Sequence, residues 1–489
     1  MPDLDAYRAE AERFVAELGL EYYRHYAGLA EDLAVEAVYE RHAALFEPAA
    51  VEGLREAAAA AAPGDEARRL RALLDFAVEG RVGRATGALD AELARREAVL
   101  DLEVDGERLG FRESSIVQAN ESDPGRRARI EAARLEATER ELNPLRREVL
   151  ELHGATAREL GWPGYRELCD ELKGLRLDAI AGQAEAFLDA TDSGYPRIVE
   201  PALRETVGVG LSEARRSDLP RFFRFAQADG RFPGEALLPA YESTMAGLGI
   251  DVHAQDGIVL DVEPRPRKSP RAFCAPVRAP GEVYLVVPPA GGRDDYVALL
   301  HEGGHAQHYG GVDPELAFEF RHLGDNSVTE AYAFLLDGLV DDPEWLRRTL
   351  GVEDTDGRLA DHARAQRLVL LRRYAAKVGY ELDLHADGAE DPAASYARRL
   401  TRAVGMAWPA ETHLVDVDPG FYVAAYLRAW ALEAALRAHL VERFGPAWFA
   451  EPEAGALLRS LWSQGQRLDA EELLEQLTGA ELDLAVLVP

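Results

Sequence analysis

The chain has 489 residues, with 87 acidic side chains against 55 basic ones and a net charge of −32. A surface this acidic argues against a nucleic-acid partner, because phosphate backbones are held by basic faces, and against docking on anionic membranes. Two cysteines, Cys169 and Cys274, cannot build a disulfide framework. With an acidic start at Asp3-Leu4-Asp5 and no apolar run of the roughly 18 residues that a span needs, the expectation is a cytoplasmic protein, with a monomer favoured.

The first half reads as helix. Asp3 is placed to cap a long helix whose apolar positions include Leu4, Tyr7, Phe14 and Leu18. Glu36 to Phe46 continues in the same style, and the alanine run Ala57 to Ala62 suits a helix. Pro63-Gly64-Asp65 breaks it, and a second long helix follows over Glu66 to Leu100. Asp101 to Gly110 turns polar and reads as a connection. Asn143-Pro144 opens a helix to Glu159, because an early Pro forfeits no hydrogen bond. Gly161-Trp162-Pro163-Gly164 is a turn before a helix over Tyr165 to Lys173. From about Ile250 the texture changes. Ile258-Val259-Leu260, Phe273 to Val277 and Val283 to Val287 are short runs bounded by Pro and Gly, as strands are. After Gly291-Gly292 the helical pattern resumes. The plan is mainly α, with a helical N-terminal lobe over residues 1–245 and a second lobe over 246–489 that carries a small sheet.

Residues 301–305 read His-Glu-Gly-Gly-His. On a helix, His301 and His305 stack at i and i+4, about 5–6 Å apart, so two ring nitrogens reach one zinc ion. Glu302 stands beside them as a base for a water that zinc acidifies. Chance would produce this pattern roughly 0.03 times in such a chain. Gly303 and Gly304 cost about 1 kcal/mol each inside a helix, which points to close approach of another backbone or a substrate. A third ligand is needed, and Asp325 and Glu330 are the downstream candidates. Ser327-x-x-Glu330 also fits a helix capping box. Asp337 lies on the face of Glu330, either holding a ligand histidine or solvated. His308 reads as a wall or supporting residue rather than a ligand.

From about Lys268 onward the sequence resembles the thimet oligopeptidase and oligoendopeptidase F family of zinc peptidases. The resemblance is carried by His301-Glu302-Gly303-Gly304-His305-Ala306-Gln307-His308, by the 25-residue step from His305 to Glu330, by a strand just before the motif helix, and by a Tyr-rich segment around Tyr422 and Tyr426 that follows His413. Where that family has Pro-Ser-Gln after its third ligand, this chain has Ala331-Tyr332-Ala333, and the His and Tyr spacing also differs. The resemblance implies a zincin-like helical metallopeptidase with a small sheet beside the active-site helix and a deep central channel. It implies one zinc held by His301, His305 and Glu330, and short peptides cut at internal bonds. It further implies Glu302 as general base and Tyr422, Tyr426 and His413 as candidates to stabilise the developing oxyanion. An extended peptide would pair with the edge of Val283–Val287. The alternatives are a metallocarboxypeptidase, for which Arg271 or Arg278 would hold the terminal carboxylate, and a non-catalytic helical scaffold that binds peptides.

Overall fold

In the computed structural model, residues 3–288, 290–386 and 391–489 are described. They form a mainly helical protein with five short strands. No helix among them is long and apolar enough to cross a membrane. Two compact units emerge, each assembled from separated stretches. The first holds Met1–Gly80, Ala228–Thr355 and Arg428–Val486; the second holds Arg81–Gln227, Asp356–Leu427 and Leu487–Pro489. The first unit thus draws residues from both sides of the 245/246 division. The helices Asp65–Val99 and Tyr422–Phe444 contribute residues to both units.

In the second unit, Asp101–Val104 (β1) and Glu107–Gly110 (β2) form an antiparallel hairpin, not the plain connection expected. Asp105 and Gly106 both adopt positive φ, 57° and 81°, which gives the two-residue turn whose twist matches paired strands. Leu102 and Val104 alternate inward and join Leu93, Phe111, Ile130 and Leu142 in one apolar cluster.

In the first unit, the N-terminal helix Leu4–Tyr26 begins where expected: Asp3 accepts the N–H groups of Asp5 and Ala6, offsetting donors that the first turn leaves unpaired. Tyr7, Ala11 and Phe14 bury one stripe. Tyr23 stacks on Tyr284 at 3.6 Å and donates to Asp261 Oδ2 at 3.2 Å. This ties the helix to a three-stranded sheet of Ile258–Asp261 (β3), Phe273–Arg278 (β4) and Glu282–Val286 (β5). The strand order is β3-β5-β4; β3 runs parallel to β5 and β4 antiparallel to it.

That order corrects one expectation. β5, which contains Val283 to Val286, has a partner on each side, so its backbone offers no free edge to a peptide. β4 is the edge strand beside the motif helix. Pro276 sits in it, as proline does in edge strands because it has no N–H to give.

Candidate metal centre

The motif lies on the helix Arg293–Gly310, which packs against β4, β5 and the helix Asn326–Asp337. Both glycines serve close approach. A Cβ on Gly304 would stand 2.6 Å from Ala333 Cα and 2.8 Å from the Tyr332 carbonyl oxygen. Such a contact is backbone on backbone, so only glycine lets the two helices meet at this depth. A Cβ on Gly303 would instead meet the Tyr241 ring at 2.5 Å.

The second helix is fixed at its start. Asp325 is the N-cap and accepts from the Ser327 N–H at 2.9 Å. The capping box read at Ser327 and Glu330 is therefore not formed, because the N-cap is Asp325, two residues before Ser327. Nor is Asp325 a ligand. Its oxygens are taken by the buried Arg428, at 2.7 and 3.0 Å, and by the Ala470 N–H at 3.0 Å. Arg428 also bonds Ser327 Oγ and Glu471. This network sets the axis along which Glu330 is delivered one turn later.

The result is a compact donor set. One atom each from His301, His305 and Glu330 lies within 4.8 Å of the others. The two Nε2 atoms stand 3.5 and 3.8 Å from Glu330 Oε2. A tetrahedral zinc with bonds of about 2.0–2.1 Å separates its ligands by about 3.3 Å, so these donors need only small shifts to meet around one ion. Two imidazoles and a carboxylate form a set suited to zinc.

Each ring is turned by a bond to its other nitrogen. Asp337 Oδ2 lies 2.9 Å from His301 Nδ1, and Thr329 Oγ1 lies 2.9 Å from His305 Nδ1. On His305, with Nδ1 carrying the proton, Nε2 keeps its lone pair toward the cluster; on His301 the Nε2 position facing Glu330 would exchange its proton for a metal ion. Asp337 thus fixes the orientation of the His301 ring. Burial opposes charge on His301, but Asp337 and Glu330 outweigh it and raise its pKa to about 10. The same carboxylates favour a metal cation at that ring. Burial, aided by the neighbouring His301, lowers His305 to about 3, which keeps it neutral and able to ligate.

Glu302 projects toward the sheet, where its Oε2 accepts the Cys274 N–H of β4 at 2.8 Å. Burial pushes its carboxyl up, against the opposing pull of His301 and that N–H. His308 is fully buried against Tyr332, ring centroids 5.0 Å apart, and is a packing residue. Arg278 is paired with Glu282.

Tyr422, Tyr426 and His413 belong to the second unit. Tyr422 and Tyr426 meet edge to face at 4.8 Å, and Tyr426 meets Tyr374 at 5.5 Å. His413 is buried, and its Nδ1 bonds the Ala410 carbonyl at 2.9 Å. It lines a cavity of about 740 Å³ with Glu139, Arg147 and His385. The metal group itself lies wholly within the first unit.

Sequence reasoning missed Thr329, the Cys274 N–H and Arg428. Thr329 precedes Glu330 directly, but which of its neighbours it meets depends on helix register, and no spacing rule marks it. Comparison with known protein families and with curated proteins finds no match for this chain.

Proposed function

We propose that this chain is a zinc-dependent, zincin-like metallopeptidase that hydrolyses internal bonds of short peptides. The observation that carries the reading is the convergence of His301, His305 and Glu330 within 4.8 Å, with Glu302 fixed beside them by β4. Bound zinc would supply Lewis-acid polarisation of the scissile carbonyl and acidification of a water. His301, His305 and Glu330 would hold the ion, with Asp337 and Thr329 keeping the rings in the ligating tautomer. Glu302 takes the proton of the attacking water and returns it to the leaving amine. The Cys274 N–H anchors Oε2, leaving Oε1 as the oxygen that exchanges the proton. Burial raises the affinity of Glu302 for that proton above that of an exposed glutamate, as a base that must also act as an acid requires.

The test pairs metal analysis with a quenched-fluorescent peptide of about ten residues, its products sized by mass spectrometry. The wild type should carry one zinc per chain and yield internal fragments. Glu302→Gln should keep the zinc and lose at least about 10²-fold in rate, the usual worth of a positioned acid–base group. Cleavage by Glu302→Gln at the wild-type rate would sink the proposal, as would a wild type that binds no zinc.

A further inference from the structure

Among the polar side chains that line the cavity of about 740 Å³ in the second unit, His413 alone is buried, at 8% exposed. Glu139, Glu151 and Asp391 are exposed, and Glu411 is half-buried. The Ala410 carbonyl, 2.9 Å from His413 Nδ1, can only accept, so Nδ1 carries the proton. Burial lowers the pKa of His413, and that of His385 in the same wall to about 4, so both rings are neutral. Nε2 of His413 therefore keeps a lone pair, and it has no partner among the described residues. A ligand that completes it must bring a donor. The wall sets the charge of that ligand: four carboxylates, of Glu139, Glu151, Asp391 and Glu411, stand against one guanidinium, Arg147. Such a wall favours a cation and repels an anion. A metal ion is not the match, because among the described residues only His301, His305 and Glu330 stand close enough to share one.

The cavity has the size of a small-molecule site, and Leu150, Leu384 and Leu414 give it apolar wall. Methylene groups lie well along such a wall while a charged head stays with the acids. Two of those acids are tied to each other. Glu139 sits on the π-helical turn Thr138–Leu142 and Glu411 on the turn Ala410–Thr412. The buried Asn143 donates to the Glu139 carboxylate and to the Glu411 carbonyl oxygen, so a ligand need not order them. We propose that this cavity binds a primary alkylammonium ion, whose N–H donates to His413 Nε2, whose charge Glu139 and Glu411 balance, and whose methylene chain lies along the leucines. A free polyamine and the lysine side chain of a peptide both present that group. No residue of the metal group lines the cavity, so the site stands apart from the peptidase function.

The full chain is titrated by calorimetry with cadaverine and with pentamethonium, at about 0.15 M salt to screen the general pull of its acidic surface. The two probes carry equal charge on the same methylene chain, but the methylated nitrogens of pentamethonium have no N–H to donate. The wild type should bind one cadaverine at least about 10-fold more tightly than pentamethonium, the worth of a hydrogen bond to a charged group. His413→Phe keeps a ring that accepts no hydrogen bond and should bring the two affinities within about two-fold; His413→Gln restores an acceptor and should keep most of the preference. Glu411→Gln should weaken cadaverine about two- to five-fold. A capped lysine identifies the source: binding tighter than cadaverine assigns a peptide side chain, and weaker binding a free polyamine. Equal affinities for cadaverine and pentamethonium in the wild type overturn the site, as does a preference unchanged in folded His413→Phe. Should His413→Phe not fold, Glu411→Gln decides, and an unchanged cadaverine affinity there refutes the proposal.

Discussion

Gly304→Ala should separate zinc affinity from folding stability. The added Cβ would lie 2.6 Å from Ala333 Cα and 3.0 Å from Ala333 N. Carbon atoms in contact prefer about 3.5 Å or more, so the helices Arg293–Gly310 and Asn326–Asp337 must part by about 0.9 Å at this level. No side chain lies between to yield instead. Alanine regains about 1 kcal/mol of helix propensity, and overpacking costs about 1–3 kcal/mol. The net change in folding stability is therefore modest, from about zero to 2 kcal/mol of loss. The metal group has far less tolerance. Ligand distances hold to about 0.2 Å, and a shift several times larger carries Glu330 away from His301 and His305. Zinc affinity should drop at least about 10–100-fold, the loss that follows when a ligand is merely misoriented. A chromophoric chelator competing for zinc measures the affinity, and thermal melts followed by circular dichroism measure the stability. Gly303→Ala is the control, because its Cβ points at the Tyr241 ring and away from the ligand helix; it should disturb folding more than zinc. If Gly304→Ala binds zinc as the wild type does, helix approach is not what assembles the site.

Other perturbations have comparably definite outcomes. Asp337→Ala removes the acceptor 2.9 Å from His301 Nδ1 and should weaken zinc about 10–100-fold; an unchanged affinity in the same competition assay contradicts the role given to Asp337. Arg428→Met leaves Asp325 and Glu471 without their buried cation and should cost about 3–5 kcal/mol in urea unfolding; a loss below about 1 kcal/mol would show that water or neighbours replace the cation. His153 is buried and stacked on Tyr165 at 4.6 Å, and burial lowers its pKa to about 4. Below about pH 6.5 the unfolded chain takes up a proton that the folded chain refuses, so stability falls with pH down to about 4, by about 3 kcal/mol from this one group. His153→Phe should flatten the pH dependence of the urea midpoint over that window, and an equal slope in both proteins refutes the assignment.

The parts of the site legible in the sequence are those governed by spacing along one helix. His301 and His305 at i and i+4 dictate a shared face, whereas Glu330 was singled out from Asp325 only by the family resemblance. The first helix start was equally local, since Asp3 caps its own first turn; Asn143-Pro144 marks no start, because Asn143–Glu159 continues directly from the helical turn Thr138–Leu142. The β1–β2 hairpin was also local, since Asp105-Gly106 between Leu102, Val104 and Leu109 is a two-residue turn signal that the polar residues around it outweighed. Strand order is a different kind of quantity. That β5 lies between β3 and β4 depends on a crossover of some 20 residues between β3 and β5, and no residue of β5 encodes it. The partners of the ligands fall in that second class too, for Thr329 reaches His305 only because the two helices touch in one register.

Gly304 joins the two classes. Its cost in helix propensity was visible in the sequence, and the contact that offsets this cost, Ala333, was not. A local anomaly on an otherwise ordered helix marks where a tertiary contact has overridden propensity. It does not say with what. For Gly304 the missing partner is another stretch of this chain, the backbone of Tyr332 and Ala333 on the next helix.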